Sequence, residues 1–388
     1  MKLVIFSAHY LPHMGGVENF TNHLSNQLIR DGHQVTVVTT LEMNLPEYEV
    51  EENGLEIYRM PSVQLMSGDR YPIIKTRNKD TKKILSKLSE DHYDLCLVNT
   101  RFYLLSLTGL KFGTENHIHT IVLDHGTSHL SVHNKVLDAL GAKWEHYLTD
   151  RGKKYHADYY GVSKASCEWL KHFDIQASGV IYNAIDLQEV EDKKRKNVEN
   201  YRADYHIPDQ AVVITFTGRM LEEKGVPQLM ECAENLIKKR NDVYFFFAGD
   251  GVLLKEMRKR SEQSNDHIFC LGRIDSDHII SLLKISDIFC LPSFSEGFST
   301  SVLEAAACKA YIITTYRGGS RELITSRKYG MIIPDNKVDN VQQALEYAID
   351  HPDECKEAAD RCYERLAENF TWKQSAETVE KIMEKNNV

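Results

Sequence analysis

The stretch SFSEGFSTSVLEAAAC, residues 293–308, carries two glutamates, Glu296 and Glu304, with seven residues between them. It follows the apolar run DIFCLP (287–292) and leads into an alanine-rich segment. Pro292 and Gly297 interrupt an extended run, and Ser299, Thr300 and Ser301 are residue types that open helices. The pattern is strand, loop, helix. Glu296 lies in the loop, beside backbone amides that attract anions at a helix N-terminus. Glu304 has two readings. Ser301 to Glu304 fits a capping box, which makes the carboxylate structural. Alternatively, the two acids together suit a hydroxyl-rich ligand.

Working outward, the same alternation fills most of the chain. Runs such as KLVIFSA, QVTVVTT, LCLVN and TIVLDH, then VVITFTG, VYFFFAG, IFCLG and YIITT, are continuous and apolar, as strands buried on both faces are. Between them lie segments of helical period. Val226, Leu229, Met230, Ala233, Leu236 and Ile237 form one amphipathic stripe. Alternating strands and helices predict parallel sheets covered on both faces. The alternation pauses at 186–210, a charged segment read as the connection between two units. A chain of 388 residues is too long for one ordinary core. The expected fold class is therefore α/β, with two Rossmann-like doubly wound domains facing a central cleft. Their ligands are expected at the carboxyl ends of the strands.

Other candidate sites follow strands as well. In TFTGRMLEEKGVPQL, Arg219 and Lys224 precede a helix and suit a diphosphate; the plainer alternative pairs Lys224 with Glu222 or Glu223. In SAHYLPHMGGVENF, Gly15 and Gly16 open a helix, where paired glycines allow unusual φ and close ligand approach. There is no G-x-G-x-x-G dinucleotide fingerprint at that turn. His125, in VLDHGTSHL, ends a strand and is placed to donate a hydrogen bond to a sugar or a leaving phosphate. Asp275 to Asp277 imitates a metal-binding D-x-D, but N-capping by Asp275 explains it, and no metal site is assigned.

Composition narrows the class. Hydrophobic content of 42% and charged content of 27% fit a globular protein, and a net charge of −9 disfavours nucleic acid as a partner. No apolar run reaches membrane-spanning length. The N-terminus does not read as a signal peptide, and the scattered cysteines include no C-x-x-C pair. A cytoplasmic protein is expected. The segment 71–88 interleaves Lys75, Arg77, Lys79, Lys82, Lys83 and Lys87 with Ile73, Ile74, Ile84, Leu85 and Leu88. It is either a solvated helix or a peripheral contact with an anionic membrane surface.

In order and spacing, these motifs resemble the family 4 glycosyltransferases of GT-B fold, over nearly the whole chain. Carrying the resemblance are Gly15-Gly16-Val17-Glu18, His125-Gly126, YNAID (182–186), GRMLEEKG (218–225), AGDG (248–251), LGRI (271–274) and the E-x7-E pair. The resemblance implies an acceptor-side domain over 1–185, a donor-binding domain over 186–368 and a final helix over 369–388 that crosses back. It implies retaining, metal-independent transfer from a nucleotide diphosphate sugar, with UDP favoured, to a glycan or lipid-linked acceptor. No cofactor beyond that co-substrate is implied. Arg219 and Lys224 would neutralise the diphosphate, Glu296 would hold sugar hydroxyls and Glu304 the ribose. Backbone amides at Phe298, Ser299 and Thr300 would hold phosphate and sugar, and Arg273 and Ile274 would border the base. Gly15, Gly16 and His125 would serve the sugar from the N-terminal domain. Ser299, Ala184 and the Ser320-Arg321 pair depart from the residues usual in the family. Rival readings are a GT-B epimerase, a phosphorylase and a non-catalytic partner protein that binds sugar nucleotides.

Overall fold

The structure is a computed structural model that describes residues 1–13, 15–42, 44–64, 71–130, 134–294 and 296–385. By internal packing the chain divides into two units, Met1–Asn183 with Trp372–Val388, and Ala184–Thr371.

The first unit holds strands β1 (Lys2–Phe6), β2 (Gln34–Thr40), β3 (Tyr48–Val50), β4 (Glu56–Met60), β5 (Ser62–Gln64), β6 (Pro72–Ile74), β7 (Leu95–Asn99), β8 (Thr120–Asp124), β9 (Asp158–Gly161) and β10 (Gly179–Val180). Eight of them form one sheet in the order β10-β9-β8-β7-β1-β2-β4-β3. Its pairs are parallel except β3 with β4. Strand order reverses at β1 and β7, so the loops after these strands diverge to opposite faces and leave a crevice. The helix Trp372–Glu384 belongs to this unit. Trp372 packs edge-on to Phe20 and stacks on His23, and Glu380 meets His33 at 2.8 Å.

The second unit holds β11 (Val212–Thr217), β12 (Val243–Ala248), β13 (Ile268–Gly272), β14 (Ile288–Leu291), β15 (Tyr311–Thr315) and β16 (Met331–Ile333). They form an all-parallel six-stranded sheet in the order β13-β12-β11-β14-β15-β16. The switch point lies between β11 and β14. β11, β12, β14 and β15 are nearly wholly buried, as their unbroken apolar runs require, whereas the edge strand β13 is half-buried. The helix Val226–Ile237 buries Val226, Leu229, Met230, Ala233 and Leu236, members of its predicted stripe.

The α/β expectation is met. The charged segment 186–210, read as the connection, is mostly helical and lies in the second unit. Asp186 caps the helix Leu187–Lys196 by accepting from Glu189 N. The Glu189–Lys193 and Glu191–Lys194 pairs reinforce it at helical spacing. Val190 is its one buried residue, which is why no apolar period marked it.

Candidate active site

In the second unit, the switch point brings two loops together. One follows β11 and ends in the 3-10 turn Glu222–Lys224; the other follows β14. Gly225 sits at φ +72, and a Cβ there would fall 2.2 Å from the Pro292 carbonyl oxygen. Only glycine allows both that conformation and that approach. Phe294 N and Ser293 Oγ both donate to the Glu223 carbonyl, at 3.0 and 3.2 Å. With the backbones fastened, Lys224 Nζ reaches Glu296 Oε1 at 2.5 Å. Their side chains are only 15% and 10% exposed. From the other side, Gly318 at φ +75 passes so close that a Cβ would strike the Glu296 carbonyl oxygen, and Gly319 N donates to Gly297 O at 2.7 Å. Glu296 is thus held between two neighbouring loops.

Lys224 does not pair with Glu222 or Glu223. Arg219 pairs with Glu223 instead, at 3.4 Å, with 71% of the arginine side chain exposed. An exposed contact of that kind holds its guanidinium weakly, so Arg219 can reorient toward an anion.

The helix Thr300–Ala307 starts just beyond. Ser299 flanks it at φ −67 and ψ 123 and makes no side-chain cap bond. That is ordinary extended backbone, so serine replaces the family's usual glycine without strain. Ser301 lies inside the helix, so Ser301 and Glu304 do not form the capping box that the sequence allowed. By helix geometry, the amides of Thr300, Ser301 and Val302 have no carbonyl four residues back within the helix. Phe298 is buried against Phe370, edge to face at 5.2 Å, leaving its backbone as the part able to serve a ligand. Burial pushes the Glu304 carboxyl up to about 7, with Lys193 opposing the shift and Glu189 adding to it.

Arg273 and Ile274 follow β13, three strands from β14 or roughly 14 Å at ordinary strand spacing. Arg273 is exposed, and Ile274 packs against the cluster around Tyr201 and Phe246. The sheet does not bring this pair to Lys224 and Glu296. Asp275 caps the helix Ser276–Lys284 by accepting from His278 N, and Asp277 pairs with Lys196.

In the first unit, Gly15 precedes the helix Gly16–Arg30 at φ −163 and ψ 178. Any residue adopts that conformation, so unusual φ is not what the glycines supply. A Cβ on Gly15 would meet the Glu18 carboxylate, whereas Gly16 has open space before it. His125 follows β8. Its Nε2 lies 3.0 Å from Asn99 Oδ1; Asn99 Nδ2 donates to Thr21 Oγ1 at 2.7 Å, and that hydroxyl to Val17 O. Burial drives the imidazole pKa down to about 4, so the ring is neutral. Its one proton serves the Asn99 oxygen, and Nδ1 is left as an acceptor. The expected donor is therefore a hydrogen-bond acceptor toward any ligand.

The apolar residues of 71–88 turn inward. Ile74, Ile84 and Leu88 are core residues, leaving a charged outer face. An apolar surface lies next to it, one that sequence reading missed. The helix Lys135–Lys153 exposes Val136, Leu137, Leu140, Trp144 and Tyr147. Trp144 Nε1 donates to Tyr71 Oη at 2.8 Å, joining this helix to the start of the basic segment. The spacing was visible in KVLDALGAKWEHY, where these residues recur at helical period.

Two doubly wound units with candidate residues at their strand ends define a GT-B glycosyltransferase. Family models match both parts: Glycosyltransferase Family 4 over residues 14–189 and Glycosyl transferases group 1 over residues 197–369. The chain belongs to these family 4-like glycosyltransferases. It is 25% identical to an uncharacterized glycosyltransferase of Methanocaldococcus jannaschii, covering 99% of this chain and 98% of that one. It is 23% identical to one component of the human phosphatidylinositol N-acetylglucosaminyltransferase, over 100% of this chain and 76% of that protein. Its fold matches Anabaena HepE in complex with UDP at a TM-score of 0.75 and 16% identity, covering 99% and 100% of the two chains.

Proposed function

We propose that this glycosyltransferase moves a sugar from a UDP-sugar to a hydroxyl of a lipid-linked or growing surface glycan, with retention at the anomeric carbon. The observation that carries the reading is the Lys224–Glu296 pair at the switch point of the second unit. It sets a cation and a sugar-binding carboxylate side by side next to a helix N-terminus. Arg219, Lys224 and the backbone amides of Phe298, Ser299 and Thr300 at the helix entry stabilise the diphosphate as it leaves, so the departure needs no metal. Glu296 accepts hydrogen bonds from sugar hydroxyls and Glu304 from the ribose. Arg273 and Ile274 border the base. In the first unit, His125 Nδ1 accepts from a sugar hydroxyl, and the space at Gly16 admits ligand.

The anomeric carbon–oxygen bond breaks, and the electron pair leaves with the diphosphate. The acceptor oxygen attacks from the same face, and its proton passes to a phosphate oxygen of the leaving group. The products are UDP and a glycoside of unchanged anomeric configuration. UDP in the HepE complex and the phosphatidylinositol named for the human relative support the donor and acceptor classes. The apolar face of Lys135–Lys153, joined to the basic segment 71–88, suits contact with an anionic membrane surface. The test is turnover of a UDP-sugar panel with lipid-linked and free acceptors, with and without EDTA, reading the anomeric configuration of the product by NMR. An inverted product, or one formed without any acceptor, contradicts the proposal.

A further inference from the structure

Three imidazoles outside the proposed donor site converge in the first unit. His129 lies in the loop after β8, His146 on the helix Lys135–Lys153 and His172 in the 3-10 turn Lys171–Phe173. His172 Nε2 lies 3.2 Å from His129 Nε2 and 3.2 Å from His146 Nε2. All three ligand-capable nitrogens lie within 4.8 Å of one another.

With all three rings neutral, hydrogen bonding alone does not satisfy this set. His129 Nδ1 lies 2.9 Å from Glu145 Oε2, a carboxylate that only accepts. The His129 proton therefore sits on Nδ1, and Nε2 presents a lone pair. If His172 Nε2 carries a proton, one N–H must serve two acceptors. If it does not, its lone pair faces that of His129. A cation among the three nitrogens removes the conflict. Two nitrogens bound at zinc distances around a tetrahedral centre are about 3.3 Å apart, which matches the two contacts of His172, and the third spacing is within 4.8 Å.

The surroundings are those of a built metal site. A carboxylate that fixes the proton on the far nitrogen of a ligating histidine is a recurring partner in such sites. Glu145 is itself fixed, buried and bonded to Arg101 Nη2 at 3.2 Å and to Leu130 N at 2.8 Å. The Arg101 charge is opposed by Asp124 as well as Glu145, so it does not confront the cluster alone. Trp169 stacks on His172 at 4.7 Å, and Phe173 packs on His146. These contacts hold the rings in place.

We propose that His129, His146 and His172 bind one divalent transition-metal ion of the zinc class, with solvent in the fourth position. The ion fastens the loop after β8, which carries His125, to the helix Lys135–Lys153 and the turn Lys171–Phe173. The inference does not rest on the transferase reading.

The test strips the full-length protein with a chelator and titrates it with Co(II), reading the visible ligand-field bands, then adds Zn(II). We expect one equivalent of Co(II) with a tetrahedral-type spectrum, displaced by Zn(II), and a higher Tm with Zn(II). His146→Ala and the exposed-site variant His172→Gln lose the bands while keeping the far-UV circular dichroism of the parent. Glu145→Gln binds about 10- to 100-fold more weakly. His92→Ala, at an exposed histidine outside the cluster, binds as the parent does. Absence of the bands in the parent, or parental binding by folded His146→Ala and His172→Gln, overturns the proposal.

Discussion

Lys224 Nζ donates to Glu296 Oε1 at 2.5 Å across 72 residues of sequence, and neither side chain is much exposed. The two residues follow neighbouring strands, β11 and β14, at the one place in the sheet where strand order reverses. Cation and carboxylate therefore stand ready before a donor arrives, and each is oriented by the other.

Removing either partner is expected to cost more than function. Lys224→Ala leaves Glu296 with a carboxylate that has lost its cation, so Tm falls along with turnover. Turnover at saturating donor drops by a factor of about 100 to 1000, the usual cost of losing one preorganised charge-stabilising donor. The double variant Lys224→Ala/Glu296→Gln should be more stable than Lys224→Ala alone, because the carboxylate that lost its cation has been neutralised. Calorimetric unfolding of the parent, Lys224→Ala, Glu296→Gln and the double variant measures the coupling.

If Glu304 holds the ribose as proposed, donor binding should depend on pH near neutrality. Its carboxyl is raised from 4.5 to about 7, and the ionised form is the better acceptor for ribose hydroxyls. Nucleotide affinity should therefore fall as pH drops below about 7, and Glu304→Gln should remove that dependence. Stability runs the other way. Between pH 4.5 and about 7 the folded state holds a proton that the unfolded state has released, so stability falls as pH rises through that window and is level above it. Glu304→Gln abolishes the fall, a change on the order of 1–3 kcal/mol at pH 8. Isothermal titration and urea melts across pH 5 to 8 read both effects.

His125 should contribute no kinetic limb in the ordinary histidine range. With its pKa driven down to about 4, the ring stays neutral across physiological pH. At saturating donor, kcat should be flat from about pH 5.5 to 8 with respect to this group. A limb near 6.5 that disappears in His125→Asn contradicts the lowered pKa of the buried ring.

The buried ion cluster of the first unit should be sensitive to its arginine. Arg101 spans Asp124 and Glu145, and all three side chains are almost wholly buried. Arg101→Met leaves two carboxyls without a cation and should destabilise the protein by about 3–5 kcal/mol. Chemical denaturation measures it.

Membrane contact should depend on the apolar helix face more than on the basic segment alone. Leu140→Ser with Trp144→Ser should reduce sedimentation with anionic vesicles at every salt concentration. Lys82→Glu with Lys83→Glu should reduce it mainly at low salt, since exposed charges are screened.

The core strands were legible because both faces are buried, which makes their apolar runs continuous. The three-residue strands β3, β5 and β6 carried no such run. β3 is an antiparallel, largely exposed edge, and among the described residues β5 pairs only with β6. Each site loop was legible too, since its residues follow a strand. The Lys224–Glu296 contact was not, because it depends on β14 lying beside β11, an order that alternation along the chain does not determine. The same limit hid His129, His146 and His172, whose spacing matches no local motif and whose meeting depends on the packing of three separate elements. The Glu304 capping box misled because it matched residue types without locating the helix start: the box would make Ser301 the N-cap, but the cap position is Ser299, two residues earlier.

The most direct test of the central claim is isothermal titration of UDP and UDP-sugars into the parent and into Lys224→Ala, each with EDTA present. The account predicts EDTA-insensitive binding at one site in the parent, weakened roughly 10- to 100-fold by Lys224→Ala, as expected for losing a charge-assisted hydrogen bond. Binding of parental strength to a folded Lys224→Ala protein would contradict the placement of the donor diphosphate at the Lys224–Glu296 pair.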